Sequence, residues 1–172
     1  MAADDNITVA LERLVGVFEK RPATAMDTTK SRAVMTGGFR VDVTEGDNTA
    51  VMDMGDVMGG GNAGPSPGFY GRAGLISCVA MGIKAAAALA RVPLDSVEVE
   101  VEMDWDNRSM FGAEGVPPDP VATRLTISVQ SPADEKLVRQ IIDDGLRNDA
   151  WLQIALRPQN IEQSIQITRS SS

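Results

Sequence analysis

Cys78 is the only cysteine of the chain, and the chain contains no histidine. It lies within the apolar run LISCVAMGIKA at residues 75–85. Burial in apolar surroundings raises the pKa of a thiol, so a reactive thiolate here needs a nearby cation or hydroxyl to stabilise it. The sequence offers Arg32, Arg40 and Arg72 for that role. The alternative is that Cys78 is a small buried apolar residue without chemistry, as most free cysteines are.

The other reactive residue types form no catalytic or metal-binding set. A serine hydrolase triad needs a histidine base, which this chain lacks. With one thiol and no imidazole, only carboxylates remain as ligands for zinc. The stretch DWDNRSMFGAE begins like a calcium loop with Asp104 and Asp106, but Arg108 occupies the next ligand position. The sequence therefore predicts no metal and leaves Cys78 as the one candidate nucleophile.

The stretch GGGNAG, residues 59–64, has the Gly-x-Gly-x-x-Gly spacing of dinucleotide-binding loops. Pro65 and Pro67 follow at once, and Lys84 stands about 20 residues further on, where such loops need an acid. We therefore interpret the stretch as a turn into the next helix and predict no cofactor. The net charge of -8 repels phosphate backbones and anionic membranes, so neither nucleic acid nor a membrane is expected as a partner.

A reducing, cytoplasmic location is the expectation from the cysteine and the first residues. A single cysteine cannot form an intrachain disulfide, and the chain opens on acids where a signal peptide needs basic residues. The longest apolar stretch, residues 73–92, is interrupted by Lys84 and consists mainly of Ala and Gly. Because such a stretch inserts poorly into hydrocarbon, we predict a buried helix there.

Periodicity predicts the elements that must position the cysteine. Helical spacing of apolar residues predicts a first helix through Ile7 and Phe18, and short alternating runs predict two or three strands over residues 32–54. The remaining predictions are a helix over 68–91, strands over 96–105 and 122–131, helices over 132–148 and 149–157, and a final strand over 160–169. Hairpins grouped around one very apolar helix favour an α+β fold over a doubly wound one.

The predicted cysteine helix has an unusual side, on which Gly74, Cys78, Gly82 and Ala86 recur every four residues. This ridge has almost no side chains, so another helix or backbone can approach it closely. Cys78 lies at the crossing point, about ten residues into the helix, too far from its start for the dipole to help a thiolate. The stripe by itself indicates packing and not chemistry.

Residues 59–106, GGGNAGPSPGFYGRAGLISCVAMGIKAAAALARVPLDSVEVEVEMDWD, resemble the superfamily of osmotically inducible protein C (OsmC) and organic hydroperoxide resistance (Ohr) proteins. In that family a Gly-rich loop with an Asn/Ser-Pro step leads into a small-residue helix that carries a cysteine. A strand with alternating valines follows. The resemblance extends in element order from Gly37 to Ile167.

The resemblance implies an intertwined α+β homodimer, with two sheets drawn from both chains wrapped around the central cysteine helices. The glycine ridge would then pack near the dimer centre. The implied activity is reduction of organic hydroperoxides, in which the Cys78 thiolate becomes a sulfenic acid and condenses with a second cysteine to a disulfide. An external thiol or dithiol then reduces the disulfide. Arg40 is the candidate for the arginine that accompanies the family's cysteine.

This chain departs from the family pattern in three respects. The second cysteine of the family falls where residues 147–156 read RNDAWLQIAL and offer Asp149 or a neighbour. The acid that follows the loop proline in the hydroperoxide enzymes corresponds to Gly68, so the partner that would orient the arginine is absent. Strand alternation also points Arg40 away from the side of Val41.

Two functional hypotheses remain open. In the first, Cys78 is still peroxidatic and an external thiol resolves its sulfenic acid. In the second, the dimer binds an apolar small molecule at the subunit interface without catalysis, and Cys78 is a packing residue. In both, the predicted organisation is an N-terminal helix and linker at 1–30, an OsmC-like domain at 31–168 and a disordered tail at 169–172.

Overall fold

The structure is a computed structural model that describes residues 2–169, with side chains from Asp5 onwards. Its helices are α1 (Ala2–Lys20), α2 (Pro67–Leu89), α3 (Glu135–Asn148) and α4 (Ala150–Leu156). Its strands are β1 (Arg32–Val34), β2 (Val41–Glu45), β3 (Asn48–Met52), β4 (Ser96–Asp104) and β5 (Ala122–Gln130). Short 3-10 turns interrupt the connections at Pro22–Ala25, Asp56–Met58 and Asn107–Phe111. The predicted α+β class is confirmed: the strands form two antiparallel sheets, and the β4–β5 hairpin packs against the apolar helix α2.

Strands β1, β2 and β3 form an antiparallel sheet in chain order. The β2–β3 turn is tight because Glu45 pairs with Asn48, and Gly46 supplies the positive φ of 56° that this turn needs. Within residues 2–169, these strands make no sizeable contact with a helix or with the second sheet. The sheet is held to the rest of the chain mainly through the loop that follows β3.

Strands β4 and β5 form the second antiparallel sheet, and one of its sides covers α2. Val99 pairs with Ile127 and Val101 with Leu125 on that side. The acidic residues of β4 alternate onto the other, exposed side, as their spacing predicts. There Arg124 bonds Glu102 at 3.1 Å and Asp104 at 2.8 Å across the two strands.

Helix α2 lies between β4–β5 and the pair α3–α4, and it supplies most of the core. The buried apolar residues are Leu75, Val79, Ile83, Ala87, Ala88, Val92, Leu94 and Ile141. Helix α3 approaches α2 closely because Gly145 has no side chain: a Cβ there would lie 2.8 Å from the Ile83 Cα. The contact between these two helices therefore depends on a glycine.

Helix α1 lies against the C-terminal end of α2. The Thr8 hydroxyl donates to the Ala88 carbonyl at 3.3 Å, and Arg91 pairs with Glu12 at 2.7 Å. Its apolar stripe is only partly covered, with Ile7, Leu14, Val15 and Phe18 all exposed. The first predicted helix is confirmed, while its membership of a separate unit over residues 1–30 stays a prediction.

The predicted final strand over residues 160–169 is wrong for the single chain. Residues 158–169 have no regular structure, and Ile161, Ile165 and Ile167 are exposed. Their spacing suits a strand, but none of the five strands that the structure describes pairs with them. Of the predicted disordered tail, residues 170–172 lie outside the described part of the chain.

Candidate functional site

Cys78 lies in the middle of the 23-residue helix α2. The helix starts where the sequence places a cap and a proline together: the Ser66 side chain accepts from the Phe69 N–H at 3.4 Å, and Pro67 opens the first turn. The cysteine is partly exposed and forms no disulfide. Its position far from the helix start removes any help from the helix dipole, as expected from the sequence.

We call the residues Gly71, Gly74, Cys78 and Gly82 the cysteine face of α2. At its C-terminal end, a Cβ on Gly82 would lie 3.4 Å from the Gly145 carbonyl oxygen and 3.5 Å from Asp149 Oδ2. At its N-terminal end, a Cβ on Gly71 or Gly74 would have no neighbour within 4 Å. The chain's own α3–α4 junction therefore covers one end of the face and leaves the other open.

The surroundings of Cys78 disfavour its thiolate within one chain. Burial raises the pKa of the Cys78 thiol, and the negative charge of Asp149 raises it further. Among the described residues, no arginine contributes to that pKa shift. The structure thus places a carboxylate, rather than a cation, within electrostatic range of the thiol.

The structure does not bring the three candidate arginines to Cys78. Arg40 is exposed and bonds Asp42 at 2.7 Å, which raises the Arg40 pKa, and it lies within electrostatic range of Asp53. Arg32 is exposed on β1. Arg72 extends towards the start of its own helix, where its Nη1 lies 3.2 Å from the place that a Cβ on Gly68 would take. Activation of Cys78 by Arg40 within one chain is therefore not observed, and the role of Arg40 stays a prediction.

Asp53 holds the loop between β3 and α2, and the sequence analysis missed it. The residue is 3% exposed, and its carboxylate accepts from the N–H groups of Met54 at 2.7 Å, Gly61 at 3.1 Å and Ala63 at 3.0 Å. These bonds, led by that of Ala63, lower the Asp53 pKa against the effect of burial. An acid at a strand end before a glycine-rich loop was the available signal.

The loop leaves little room for side chains where it crosses β3. A Cβ on Gly60 would lie 1.9 Å from the Met54 carbonyl oxygen, and one on Gly64 would lie 2.3 Å from that of Val51. The N–H groups of Gly61 and Ala63 already bind Asp53. The GGGNAG spacing therefore serves a close crossing of chain segments, in agreement with its interpretation as a turn.

The two aspartates of the calcium-like stretch bind arginines. Asp104 accepts from Arg124, and Asp106 accepts from Arg108, which lowers the Asp106 pKa to about 2. Among the residues that the structure describes, no group of three or more Cys, Asp or Glu side chains is placed to hold a metal ion.

Asp149 is the second residue whose role was only partly predicted from the sequence. It caps α4 as predicted, because its side chain accepts from the Leu152 N–H at 2.6 Å. The sequence also placed it, or a neighbour, where the family has its second cysteine. What the sequence missed is that Asp149 is only 5% exposed and lies against the cysteine face.

The fold and the central cysteine helix define an α+β class in which two hairpin-built sheets accompany a small-residue helix. The family described as OsmC-like protein matches residues 59–148, which is more than half of the chain. This chain therefore belongs to the OsmC-like family. The search of curated proteins found no match.

Solved structures of similar fold come from several bacteria. An OsmC-like protein from Mycoplasma pneumoniae aligns with a TM-score of 0.63 and 13% identity, over 76% of this chain and 88% of that one. An organic hydroperoxide resistance protein OsmC from Legionella pneumophila gives 0.54 and 16%, over 77% and 90%. An OsmC-like hydroperoxide resistance protein from Jannaschia sp. CCS1 gives 0.52 and 20%, over 81% and 91%. At these identities the likeness extends to the fold alone.

Proposed function

We propose that this protein is a one-cysteine peroxidase that reduces organic hydroperoxides with Cys78 and an external thiol. The observation that carries the proposal is the partial exposure of the chain's only thiol beside the open glycines of the cysteine face. Membership of the OsmC-like family supports it, as do fold relatives described as hydroperoxide resistance proteins. The external thiol agrees with the reducing, cytoplasmic location that we also propose.

The chemistry balances with one thiol on the protein and two from outside. The Cys78 thiolate attacks one peroxide oxygen, the O–O bond breaks, and the organic group leaves as an alcohol after taking up a proton. Cys78 is oxidised to a sulfenic acid. One external thiol displaces water to form a mixed disulfide, and a second attacks that disulfide, which restores the Cys78 thiol. The net reaction consumes one hydroperoxide and two thiols and yields an alcohol, a disulfide and water.

The side chains around Cys78 favour a hydroperoxide with an apolar substituent. Leu75 and Met81 stand three residues before and after Cys78, which makes them its neighbours on the helix surface. Leu75 belongs to the core, whereas Met81 is exposed. An apolar group next to the reacting oxygen would bury surface against Met81, which hydrogen peroxide cannot do.

We also propose that the functional unit is a homodimer, because a single chain exposes far more surface than a compact monomer does. The chain exposes 13363 Å², whereas a compact monomer of 18.3 kDa exposes about 8,100 Å². An 18-residue stretch of helix α2 has a mean hydropathy of 1.4, yet only 28% of that stretch is buried. A second copy of the chain would cover this surface.

Three segments are suited to contact with that second copy. The sheet β1–β3 makes no sizeable contact with the described helices, the open end of the cysteine face is uncovered, and residues 158–169 carry exposed isoleucines. Exchange of such segments between chains would build an intertwined dimer around α2. In this proposal Arg40 reaches Cys78 only after the two chains assemble.

A second candidate function follows from the electrostatics of the thiol. Since burial and Asp149 both raise the Cys78 pKa, the thiol form dominates in a single chain at neutral pH. A dimer in which no cation arrives would have an inert cysteine. The remaining function would then be binding of an apolar small molecule between the subunits.

Intact-mass measurement after brief peroxide exposure tests the two candidates. The protein is treated with cumene hydroperoxide, tert-butyl hydroperoxide or hydrogen peroxide together with a sulfenic acid trap, and C78S is the control. We expect rapid trapping at Cys78 that is faster with the organic peroxides and reversed by dithiol. A thiol that reacts only after denaturation would contradict the peroxidase proposal and favour ligand binding.

A further inference from the structure

The carboxylate of Asp149 is fixed over the cysteine face at the junction of α3 and α4. Its Oδ1 accepts from the Leu152 N–H at 2.6 Å, and its own N–H donates to the Leu146 carbonyl at 3.4 Å. Its Oδ2 lies 3.5 Å from the Cβ position of Gly82. With only 5% of the residue exposed, the carboxylate is held in one place and largely shielded from solvent.

Cys78 stands one helical turn before Gly82, on the same side of α2. Residues four apart on a helix have Cβ positions about 5–6 Å from each other, so the Asp149 charge lies a short distance from the sulfur. A charge pair at the edge of a core is screened much less than an exposed one. A negative charge so placed opposes the formation of a second one on the sulfur.

Several charged groups on and around α2 bond groups other than Cys78. Glu12 of α1 binds Arg91, Asp144 of α3 binds Arg147, and Lys84 donates to the Leu94 carbonyl. Strand β4 presents valines to the core. The arginine nearest in sequence, Arg72, extends towards Gly68. Within the described residues, Asp149 is the only charged group that the structure couples to Cys78.

We propose that Asp149 is a positioning residue that suppresses the reactivity of Cys78 by keeping the sulfur in its protonated thiol form. The carboxylate stands at the α3–α4 junction, where the family pattern has a second thiol, and it acts on the same sulfur electrostatically. The proposal rests on the proposed peroxidase function only for its effect on turnover. The state of the thiol can be measured without any peroxide.

The test compares the Cys78 titration in wild type, D149N and the control D143N. Asn retains the cap of α4 through its Oδ1 but carries no charge. D143N removes the same charge from an exposed position on α3. Since the chain has one cysteine and no histidine, thiolate absorbance at 240 nm and the pH dependence of iodoacetamide alkylation report on Cys78, with C78S as the blank.

We expect the D149N titration midpoint to move to lower pH and its alkylation rate at pH 7.5 to rise at least about twofold, with D143N unchanged. D149S, which also retains a cap, must shift in the same direction. Unchanged titrations in both variants, with helix content intact by circular dichroism, would overturn the proposal. So would an equal shift in D143N.

Peroxide reactivity of the same variants separates this inference from the proposed function. Faster sulfenic acid trapping in D149N, in proportion to its alkylation rate, supports both. A lowered midpoint without trapping upholds the role of Asp149 and contradicts the peroxidase. Fast trapping with an unmoved midpoint upholds the peroxidase and contradicts the role of Asp149.

Discussion

The two ends of the cysteine face carry the same residue type but have different surroundings. At Gly82 the chain's own α3–α4 junction fills the space, down to 3.4 Å from the Gly145 carbonyl. At Gly74 nothing lies within 4 Å. The glycines of the cysteine face therefore have different surroundings: Gly82 allows close packing inside the chain, whereas Gly74 leaves the helix surface uncovered.

The largest effect is expected at the covered end of the cysteine face, from G145A in the facing helix α3. The new Cβ would lie 2.8 Å from the Ile83 Cα and 2.9 Å from its backbone nitrogen, and neither atom can move without shifting α2. We expect a loss of about 2–3 kcal/mol in the free energy of unfolding, measured by urea denaturation. Helix propensity by itself would favour Ala by about 1 kcal/mol.

G16A is the matched control, because Gly16 lies in a helix with no atom within 4 Å of its Cβ position. We expect it to be neutral or slightly stabilising. If G145A were as stable as G16A, the close contact between α2 and α3 would not contribute to the fold.

The second effect is expected at the open end, from G74L. In a single chain the new side chain meets empty space, so the helix content should not change. If a second copy covers this end, the added bulk must be accommodated in the interface, at a cost of about 1–3 kcal/mol. We then expect the dimer dissociation constant to rise about tenfold.

Sedimentation of G74L over a range of concentrations measures that constant. An unchanged dissociation constant would exclude the open end from the interface and leave the excess surface of the chain to other segments. Circular dichroism at each concentration separates weaker association from unfolding.

The sequence was sufficient for the elements that the chain completes by itself. The helical spacing in α2 and α3 and the alternation in β4 and β5 each predicted an element that packs against another part of the same chain. The final strand over 160–169 failed because a strand needs a neighbouring edge, and alternation says nothing about which chain supplies it. The same limit applies to the glycine ridge, for which the sequence predicted one partner. In the structure the chain's own α3–α4 junction covers the Gly82 end, and nothing lies within 4 Å of a Cβ at Gly74.

The candidate site was predictable in its residue types but not in its electrostatics. Cys78 and the missing second cysteine could be read from the sequence, and so could the capping role of Asp149. That Asp149 lies beside Cys78 depends on the α2–α3 crossing, which places residues about 70 positions apart in contact. Arg40 was predicted from its place in the chain, yet it directly precedes β2, in a sheet that makes no sizeable contact with the described helices beyond the bond from the Tyr70 hydroxyl to the Val51 carbonyl.

The smallest effect is expected in the loop that leads into the open end, from D53N. Asn can accept through one oxygen only, and its amide nitrogen would face the N–H groups of Gly61 and Ala63, which now donate to Oδ2. We expect Tm at pH 7 to fall by about 3 °C, measured by thermal unfolding. D56N, which removes an exposed acid of the same loop, is the control.

The pH dependence of that loss identifies its cause. Because the pKa of Asp53 is lowered in the fold, its carboxylate stabilises the folded chain above the ordinary value of 3.8, and this contribution disappears as the pH falls through the lower folded value. The difference between wild type and D53N should therefore be full at neutral pH and shrink below about pH 4. A difference that persists unchanged in acid would mean that the shape of the side chain, rather than its charge, holds the loop at the open end of α2.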